Sequence, residues 1–231
     1  MMFNYPNGKQ ITVTQETVKL TPHTFNPKQG IWEKDAIKLF FSYIQNDAHK
    51  VIIDVGAQTG LYSLYAKFLP NCQFHAFEPF KPSFDQLNLN LNLNNIKNVK
   101  TYNLALSDQK GCNTLNTCPT HNGFHTFGTP LRFNQSIPVQ CETETIDNLF
   151  FDKQVQVDFI KIDTEGNEYR ILKGAMKTIQ KYKPIIQLEY HKVNMLQCGV
   201  SESDMLALFN ELNYKIVSTL KEEMIIAPFT P

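Results

Sequence analysis

The chain has 231 residues, of which 42% are hydrophobic and 12% aromatic, and its formal net charge is zero. A chain of this length and composition can bury the core of one globular domain. The neutral balance provides no electrostatic footprint for a nucleic acid, so we expect no nucleic-acid partner. No apolar run approaches the ~20 residues that span a bilayer, and the opening residues do not resemble a signal peptide. We therefore expect a soluble, cytoplasmic protein with no membrane partner.

The cysteines give a second indication of the cellular environment. There are five of them, an odd number, and none shows the C-x-x-C spacing of a zinc or redox motif. This pattern predicts reduced thiols in an intracellular protein, without a zinc cluster.

The first 48 residues differ in character from the rest of the chain. Residues 1–30 combine Asn-Gly turns and prolines with a short alternating strand at residues 10–14, and residues 31–44 approximate helical spacing. We predict an N-terminal arm and helix over residues 1–48, packed on one domain over residues 49–231. Trp32 can cover a ligand, but an aromatic residue beside a helix is more often part of the core.

A β-branched run, VIIDV at residues 51–55, precedes a turn that contains Gly56 and Gly60. Such residues suit a strand buried on both faces of a parallel sheet, and glycine lets the backbone approach a ligand. The turn and the helix after it would place free N–H groups at the carboxyl edge of the sheet, where open α/β folds bind nucleotides. The spacing matches neither G-x-G-x-x-G nor a P-loop, so no pyrophosphate site is specified.

A second strand-like run, QFHAF at residues 73–77, ends in Glu78, which follows Gly56 by 22 residues. An acid at this spacing can accept hydrogen bonds from both hydroxyls of a ribose, and Pro79 then stops the strand. A ribose site without a phosphate-binding signature favours a nucleoside that lacks phosphates. S-adenosylmethionine is the obvious candidate.

The middle of the chain contains two less regular segments. Leucine and asparagine alternate over residues 87–94, nominally a strand pattern, but we predict a helix because a right-handed crossover between parallel strands needs one. Residues 99–106 are predicted as the third strand, whose end, with Ala105 and Leu106, would lie beside the adenine. Residues 111–140 lack core periodicity and are predicted to form a substrate-facing lid, since so long a segment in a compact domain is usually functional.

Charged residues cluster again where the strand FIKI, at residues 159–162, should end. Lys161, Asp163 and Glu165 would face the same edge of the sheet as Gly56, and ionisable side chains are costly to bury without a purpose. We therefore predict all three in the site. The alternative is structural: Glu165 and Glu168 would offset the dipole of the helix running to residue 179, and Lys161 would pair with one of them.

The last third of the chain contributes one more candidate. His191 follows the strand-like run PIIQLE, and a histidine at a strand end has a suitable pKa for a general base, although a lone histidine is more often structural. Residues 201–212 are predicted as an amphipathic helix with an N-cap, and residues 214–218 and 224–227 as a terminal hairpin.

Six motifs between about residues 50 and 190 share one resemblance. They are VIIDVGAQTG, FEPF, NLALSD, ETETIDNL, FIKIDTEGNEYRILKGA and PIIQLE. Together they resemble the FkbM family of S-adenosylmethionine-dependent O-methyltransferases. The resemblance implies an α/β fold of class I methyltransferase type: a Rossmann-like, seven-stranded, mostly parallel sheet with an antiparallel last strand and helices on both faces.

The resemblance also implies an activity and a set of residues. The acceptors would be hydroxyls of sugars, glycans or small metabolites. By position, Asp54, Gly56 and Gly60 would line the methionine end of the cofactor, Glu78 would hold the ribose, and Asp163 would lie near the amino group. With their neighbours and the end of the third strand, the candidate cofactor-binding residues are Asp54, Gly56, Ala57, Gly60, Glu78, Pro79, Ala105, Leu106 and Asp163.

The candidate catalytic residues are Lys161, Asp163, Glu165 and His191, because a sugar hydroxyl is a poor nucleophile and needs a base or a metal. Magnesium held by Asp163 with Glu189 or His191 is an alternative that we do not favour, since no further carboxylate presents itself. No metal ligand is therefore assigned. A nucleic-acid (RNA) methyltransferase and a non-catalytic cofactor-binding protein stay open as other functions, and a homodimer stays open as an assembly.

Overall fold

The protein is described by a computed structural model that covers residues 1–32, 34–44, 49–132 and 135–229. Its strands are β1 (Met2–Asn4), β2 (Gln10–Thr12), β3 (Phe25–Asn26), β4 (Gly30–Ile31), β5 (Val51–Val55), β6 (Gln73–Phe77), β7 (Val99–Tyr102), β8 (Ala105–Leu106), β9 (Gly111–Thr117), β10 (Ile137–Glu144), β11 (Phe159–Ile162), β12 (Ile185–Glu189), β13 (Tyr214–Leu220) and β14 (Glu223–Pro228). Its α-helices are α1 (Gln15–Leu20), α2 (Lys34–Ile44), α3 (Lys81–Leu93), α4 (Glu168–Lys173), α5 (Met176–Tyr182), α6 (Lys192–Gln197) and α7 (Glu202–Glu211). A 3-10 helix spans Ser63–Phe68 and a π-helical turn spans Asp147–Phe151. None of the helices in these ranges is both long and apolar enough to cross a membrane.

The centre of the fold is a seven-stranded sheet with the order β13-β14-β12-β11-β5-β6-β7. The pairs around β5 are parallel, and β14 runs antiparallel to both β12 and β13. β5 and β11 are almost fully buried, as expected of mainly apolar strands covered on both faces, and each holds one buried charged residue, Asp54 in β5 and Lys161 in β11. The predicted class I methyltransferase sheet, with its antiparallel last strand, is confirmed.

The strand register brings the candidate residues to one edge. Val55 at the end of β5 is the partner of Phe77 in β6 and of Ile162 in β11, and Ile162 is also the partner of Leu188 in β12. The loops that follow these four strands therefore leave the sheet side by side. They carry the glycine turn, Glu78, Asp163 and the segment before α6.

The leucine and asparagine repeat forms helix α3, as predicted. Pro82 lies in its first turn, Leu87 and Leu91 are buried in the core, and Asn90 and Asn94 face the arm. Asn90 Oδ1 accepts the N–H of Thr14 and Asn94 Oδ1 that of Thr12, both at 3.0 Å. Leu87 and Leu91 lie one turn apart on one face of the helix, and Asn90 and Asn94 lie one turn apart on a neighbouring face. A sequence that alternates with period two can therefore form an amphipathic helix.

The N-terminal arm packs on the sheet through buried aromatic and aliphatic side chains. Phe3, Ile11 and Phe25 share a hydrophobic cluster with Ile52 of β5, and the Tyr5 hydroxyl donates to the carbonyl oxygen of Leu61 at 2.6 Å. The predicted boundary after residue 48 stays a prediction, since residues 45–48 lie outside the described ranges.

Three elements differ from their predicted extents. The third strand of the sheet ends at Tyr102, and residues 105–106 form β8 in a second sheet with the order β8-β10-β9. The predicted lid at residues 111–140 contains β9, the first half of β10 and the segment that connects them. Residues 133–134 of that segment lie outside the described ranges. The helix predicted to reach residue 179 is divided at Gly174, where a Cβ would lie 2.0 Å from the carbonyl oxygen of Ser107.

Candidate active site

A cavity of about 380 Å³ opens at the carboxyl edge of the central sheet. Its walls come from the loops after β5, β6, β11 and β12, from the N-terminal arm and from residues 121–132. The predicted site residues that line it are Gly56, Ala57, Glu78, Pro79, Ala105, Leu106, Lys161, Asp163 and Glu165. Asp54, Gly60 and His191 do not form part of its wall.

The glycine turn is built by backbone contacts. Gly56 has a φ of +76°, and the N–H groups of Gly56 and Ala57 both donate to the carbonyl oxygen of Phe77 at 3.0 Å. A Cβ on Gly56 would lie 1.9 Å from the carbonyl oxygen of Asp163. Gly60, with a φ of +105°, instead packs against helix α3, since its Cβ would approach a Leu87 methyl group to 2.9 Å. Only the first glycine contributes to the cavity.

Asp54 lies beneath this turn. Its Oδ2 accepts the hydroxyl of Ser63 at 2.6 Å, and its Oδ1 is buried without a hydrogen-bond partner among the described residues. Burial raises the pKa of Asp54, an effect that the nearby Lys161 ammonium opposes. The aspartate therefore supports the turn from below.

Glu78 is held in one orientation by two backbone donors. Its Oε2 accepts the N–H of Gln58 and its Oε1 that of Phe80, both at 2.8 Å. Burial raises the pKa of Glu78 to about 7, although these two hydrogen bonds oppose the shift. Each carboxylate oxygen keeps a further lone pair, so the side chain can still accept from two adjacent hydroxyls.

Three carboxylates meet on the opposite wall. One oxygen atom from each of Asp163, Glu165 and Glu189 lies within 4.8 Å of the others. Lys161 Nζ donates to Asp163 Oδ2 at 3.0 Å, and Arg132 Nη1 lies 3.0 Å from Glu165 Oε2. Burial, together with the charge of Asp163, raises the pKa of Glu165 to about 8 and that of Glu189 well above its ordinary value. Glu165 is the further carboxylate that was not recognised as a metal ligand from the sequence.

The loop that carries this cluster is fixed by Glu168. The buried Glu168 Oε1 accepts the backbone N–H of Thr164 at 2.9 Å and its hydroxyl at 2.8 Å, and Glu165 has a φ of +56°. From helix α6, Asn194 Nδ2 donates to Glu165 Oε2 at 2.7 Å and to Glu189 Oε2 at 3.1 Å. The cluster is therefore preorganised from two sides.

His191 is the N-cap of helix α6. Its Nδ1 accepts the N–H of Asn194 at 3.3 Å, and its Nε2 lies 3.1 Å from Glu222 Oε1. Both ring nitrogens are thus engaged, one by the backbone of α6 and the other by Glu222, which lines the cavity although His191 does not. The structure does not bring His191 into contact with the space that Lys161, Asp163 and Glu165 surround.

Stacked rings close the cavity on its open side. The His23 ring from the arm stacks on His121 at 3.9 Å, His121 stacks on Phe124 at 3.7 Å, and the Arg132 guanidinium lies 4.0 Å from the centre of Phe124. Burial lowers the pKa of His121 to about 4, with a further contribution from His23. Arg132 therefore connects this cover to Glu165 in the carboxylate cluster.

Several wall residues were not predicted, among them Arg132, Tyr62 and Asn167. Arg132 stands in a segment without periodicity, and nothing in its local sequence indicates its partner Glu165. Tyr62, whose ring lies 4.4 Å from Lys161 Nζ, follows the glycine turn and was interpreted only as part of a helix. Asn167 belongs to the EGNE motif, and its Nδ2 donates to the carbonyl oxygen of Leu106 at 2.9 Å. Its place in that motif was the signal that could have identified it.

The amino-acid sequence matches one protein-family model and is similar to known methyltransferases. A family model described as the methyltransferase FkbM domain matches residues 54–216. Methyltransferase sdnD of Sordaria araneosa is 28% identical in an alignment of 154 residues, and the match covers 54% of this chain and 60% of that protein. Methyltransferase 1 of Beauveria bassiana is 25% identical in an alignment of 142 residues, and the match covers 53% of this chain and 57% of that protein. The match thus spans about three fifths of the length of these relatives.

Solved structures are similar in fold. An FkbM methyltransferase from Methylobacillus flagellatus has a TM-score of 0.52 at 18% identity, covering 79% of this chain and 44% of its own. The protein SMU.1697c of Streptococcus mutans, in complex with SAH, has a TM-score of 0.50 at 12% identity, covering 84% of this chain and 98% of its own. At these identities the likeness shows a shared fold.

Proposed function

The chain belongs to the FkbM methyltransferase family, and on that premise we propose that it transfers the methyl group of S-adenosylmethionine to a hydroxyl of a sugar, a glycan or a small metabolite. The observation that carries this proposal is a single cavity with a glycine turn, a buried acid at ribose spacing and a carboxylate cluster in its walls. The SAH in the Streptococcus mutans neighbour supports the same cofactor.

The cofactor has a natural place in this cavity. Glu78 would accept the two ribose hydroxyls, because its oxygens are already oriented by the N–H groups of Gln58 and Phe80. Ala105 and Leu106 would flank the adenine, with the Leu106 carbonyl fixed by Asn167. The methionine end would then lie against the wall that the glycine turn and Asp163 form together through their backbone contact.

The reaction is an in-line displacement. The acceptor oxygen forms a bond to the methyl carbon while the carbon–sulfur bond breaks. The electron pair of the broken bond stays on sulfur, so the sulfonium becomes a neutral thioether. The acceptor proton passes to a base. Alignment of the two reactants can supply ~7–11 kcal/mol of the barrier, and the preorganised walls of the cavity serve that purpose.

Among the candidate bases, Glu165 fits this geometry best. It lines the cavity, and a carboxylate whose pKa is raised to about 8 by burial is a stronger base than an ordinary glutamate. Lys161 donates to Asp163 as an ammonium, and the ring nitrogens of His191 are engaged elsewhere. Asp163 then orients Lys161 beside the reacting atoms.

A divalent cation is the second route to an activated hydroxyl. Asp163, Glu165 and Glu189 are hard oxygen donors of the kind that magnesium prefers, and a cation there would lower the pKa of a bound hydroxyl. We rank this route second because Lys161 and Arg132 already compensate two of the three carboxylates.

The acceptor would approach from the side of the cavity where the stacked rings of His23, His121 and Phe124 lie. His121, Phe124 and Arg132 belong to the 111–140 segment, and His23 belongs to the arm, so we assign acceptor choice to these two segments. We expect no nucleic-acid partner, since the cavity wall presents three carboxylates where a phosphate backbone would need positive charge.

The experiment has two stages. Calorimetry with S-adenosylmethionine and its demethylated product tests the cofactor, and labelled methyl transfer is then measured against sugar nucleotides, methyl glycosides, small phenols and RNA. We expect cofactor binding and transfer to a hydroxyl of a sugar or small molecule. Transfer to RNA alone would replace the acceptor class, and binding without transfer to any acceptor would favour a non-catalytic cofactor-binding protein.

A further inference from the structure

A second cavity, of about 410 Å³, lies beside the first and shares four wall residues with it: His23, Trp32, Glu189 and Glu222. We propose that this outer groove binds the second ring of an extended glycoside, whose first ring receives the methyl group beside the carboxylate cluster. The proposal rests on the proposed function and narrows its acceptor class from hydroxyl compounds in general to glycosides of at least two rings.

Space is the first argument. Binding cavities for small molecules have volumes of roughly 300–1,000 Å³. The inner cavity is near the lower limit at about 380 Å³, and a nucleoside joined to an amino acid would take up much of it. An acceptor with a second ring would extend past Glu189 and Glu222 into the outer groove, because these residues line both spaces.

The second argument is the position of Trp32. Its side chain is 59% exposed, although the β3–β4 hairpin just before it is anchored by Phe25 and Ile31, which are almost fully buried. The backbone N–H of Trp32 donates to the carbonyl oxygen of Thr24 at 3.0 Å, which fixes the backbone at this residue. A large aromatic surface is thus held open to solvent where the two cavities join. Such a surface suits the apolar face of a sugar ring.

The third argument is the polarity of the outer groove. Asn26, Gln29 and Asp35 line one side, and Lys221 and Glu222 line the other. The whole lining has four acids, Asp35, Glu189, Glu222 and Glu223, and two lysines, Lys34 and Lys221, so it offers both donors and acceptors with an excess of negative charge. Hydroxyl groups both donate and accept, so this wall suits a neutral polyol better than a phosphate or a fatty chain.

The far wall, which includes Glu222, is held by contacts within the protein. Oε1 of Glu222 lies 3.1 Å from Nε2 of His191, and the backbone carbonyl oxygen of Glu222 accepts the N–H of Tyr190 at 2.5 Å. Gln187 Nε2 donates to Glu223 Oε2 at 2.9 Å. A preorganised groove loses less entropy when it binds a ligand. This arrangement also gives His191 a role, which is to hold the groove wall.

The first test compares matched acceptors. Methyl transfer is measured with one-ring and two-ring methyl glycosides of the same sugars, covering hexoses, deoxyhexoses and amino sugars. We expect kcat/KM for the best two-ring acceptor to exceed that of its one-ring counterpart by about tenfold or more, equivalent to about 1.4 kcal/mol. Trp32→Ala and Asp35→Ala should bring this ratio close to one. Phe229→Ala removes an exposed aromatic residue that lines neither cavity, and it should keep the ratio.

The second test uses the fact that Trp32 is the only tryptophan of the chain. In the presence of the demethylated cofactor, two-ring glycosides should change its emission and protect it from iodide quenching, and one-ring glycosides should do so less. A two-ring preference that survives Trp32→Ala, or equal use of both acceptor sizes, would overturn the proposal. If the cofactor binds but no glycoside is methylated, the proposed acceptor class fails. The groove is then judged by emission alone, and unchanged emission with every two-ring glycoside refutes it.

Discussion

A Cβ atom on Gly56 would lie only 1.9 Å from the carbonyl oxygen of Asp163. The turn after β5 and the loop after β11 therefore touch through their backbones, at a place where only glycine fits. Gly56 also has a φ of +76°, which L-residues rarely adopt. Two motifs that are more than 100 residues apart in the sequence form one wall of the cavity through this contact.

The contact predicts that Gly56→Ala destabilises the fold itself. Backbone strain and overpacking together should lower the free energy of unfolding by about 2–5 kcal/mol. Gly199→Ala is the matched control, because its φ is +74° and its Cβ would meet no atom within 4 Å. Denaturant unfolding should show a loss of only about 1–2 kcal/mol there. Equal losses in the two variants would show that the Asp163 contact relaxes easily.

Glu78→Gln should weaken cofactor binding, because it removes the charge that strengthens the hydrogen bonds to the ribose. We expect a loss of about 1.5–3 kcal/mol in calorimetry with the demethylated cofactor. Since the ionised form is the better acceptor and the pKa of Glu78 is about 7, affinity should fall as the pH is lowered from 8 to 6. In Glu78→Gln this pH dependence should disappear. Wild-type affinity in the variant would remove Glu78 from the ribose site.

The base assignment is tested by Glu165→Gln, which keeps the shape of the side chain. If Glu165 takes the acceptor proton, the maximal rate should fall by ~10²–10⁴ with little change in cofactor affinity. A base must be deprotonated, so kcat/KM of the wild type should rise with pH through about 8.

His191→Ala and Lys161→Ala are measured beside it. His191→Ala removes a helix cap, so it should cost about 1 kcal/mol of stability while keeping most of the maximal rate. If that variant loses its rate while Glu165→Gln keeps it, the proton passes to His191. A collapse confined to Lys161→Ala would instead assign the proton transfer to the lysine.

The carboxylate cluster predicts the response to chelators. Because Lys161 pairs with Asp163 and Arg132 with Glu165, the cluster does not need a cation to balance its charge, and we expect activity to survive dialysis against a chelator. Loss of activity that magnesium restores would show that the metal route operates. In that case Glu189→Gln should weaken the response to magnesium, and calcium should compete for the same oxygens.

Much of the fold followed from local features of the sequence. The runs VIIDV before Gly56 and FIKI before Asp163 are apolar except for Asp54 and Lys161, and such runs indicate strands buried on both faces whichever strands lie beside them. Helix α3 was predicted against its alternating pattern by a topological rule. The asparagine contacts to the arm, which explain that pattern, could not be anticipated because their partners lie more than 70 residues away.

The sequence by itself determined individual core strands, the glycine turn, the acid after β6 and the charged strand end after β11, whereas the seven-stranded sheet was implied by the family resemblance. Each of those local features depends on the residue types within one short segment. Only the tertiary structure decided which charged groups meet: it joined Arg132 to Glu165, placed Glu189 in the same cluster, and engaged His191 with Glu222. It also moved Ala105 and Leu106 from the third strand into a second sheet. Side-chain pairing depends on distances between segments that are remote in the chain, and neither periodicity nor residue type encodes those distances.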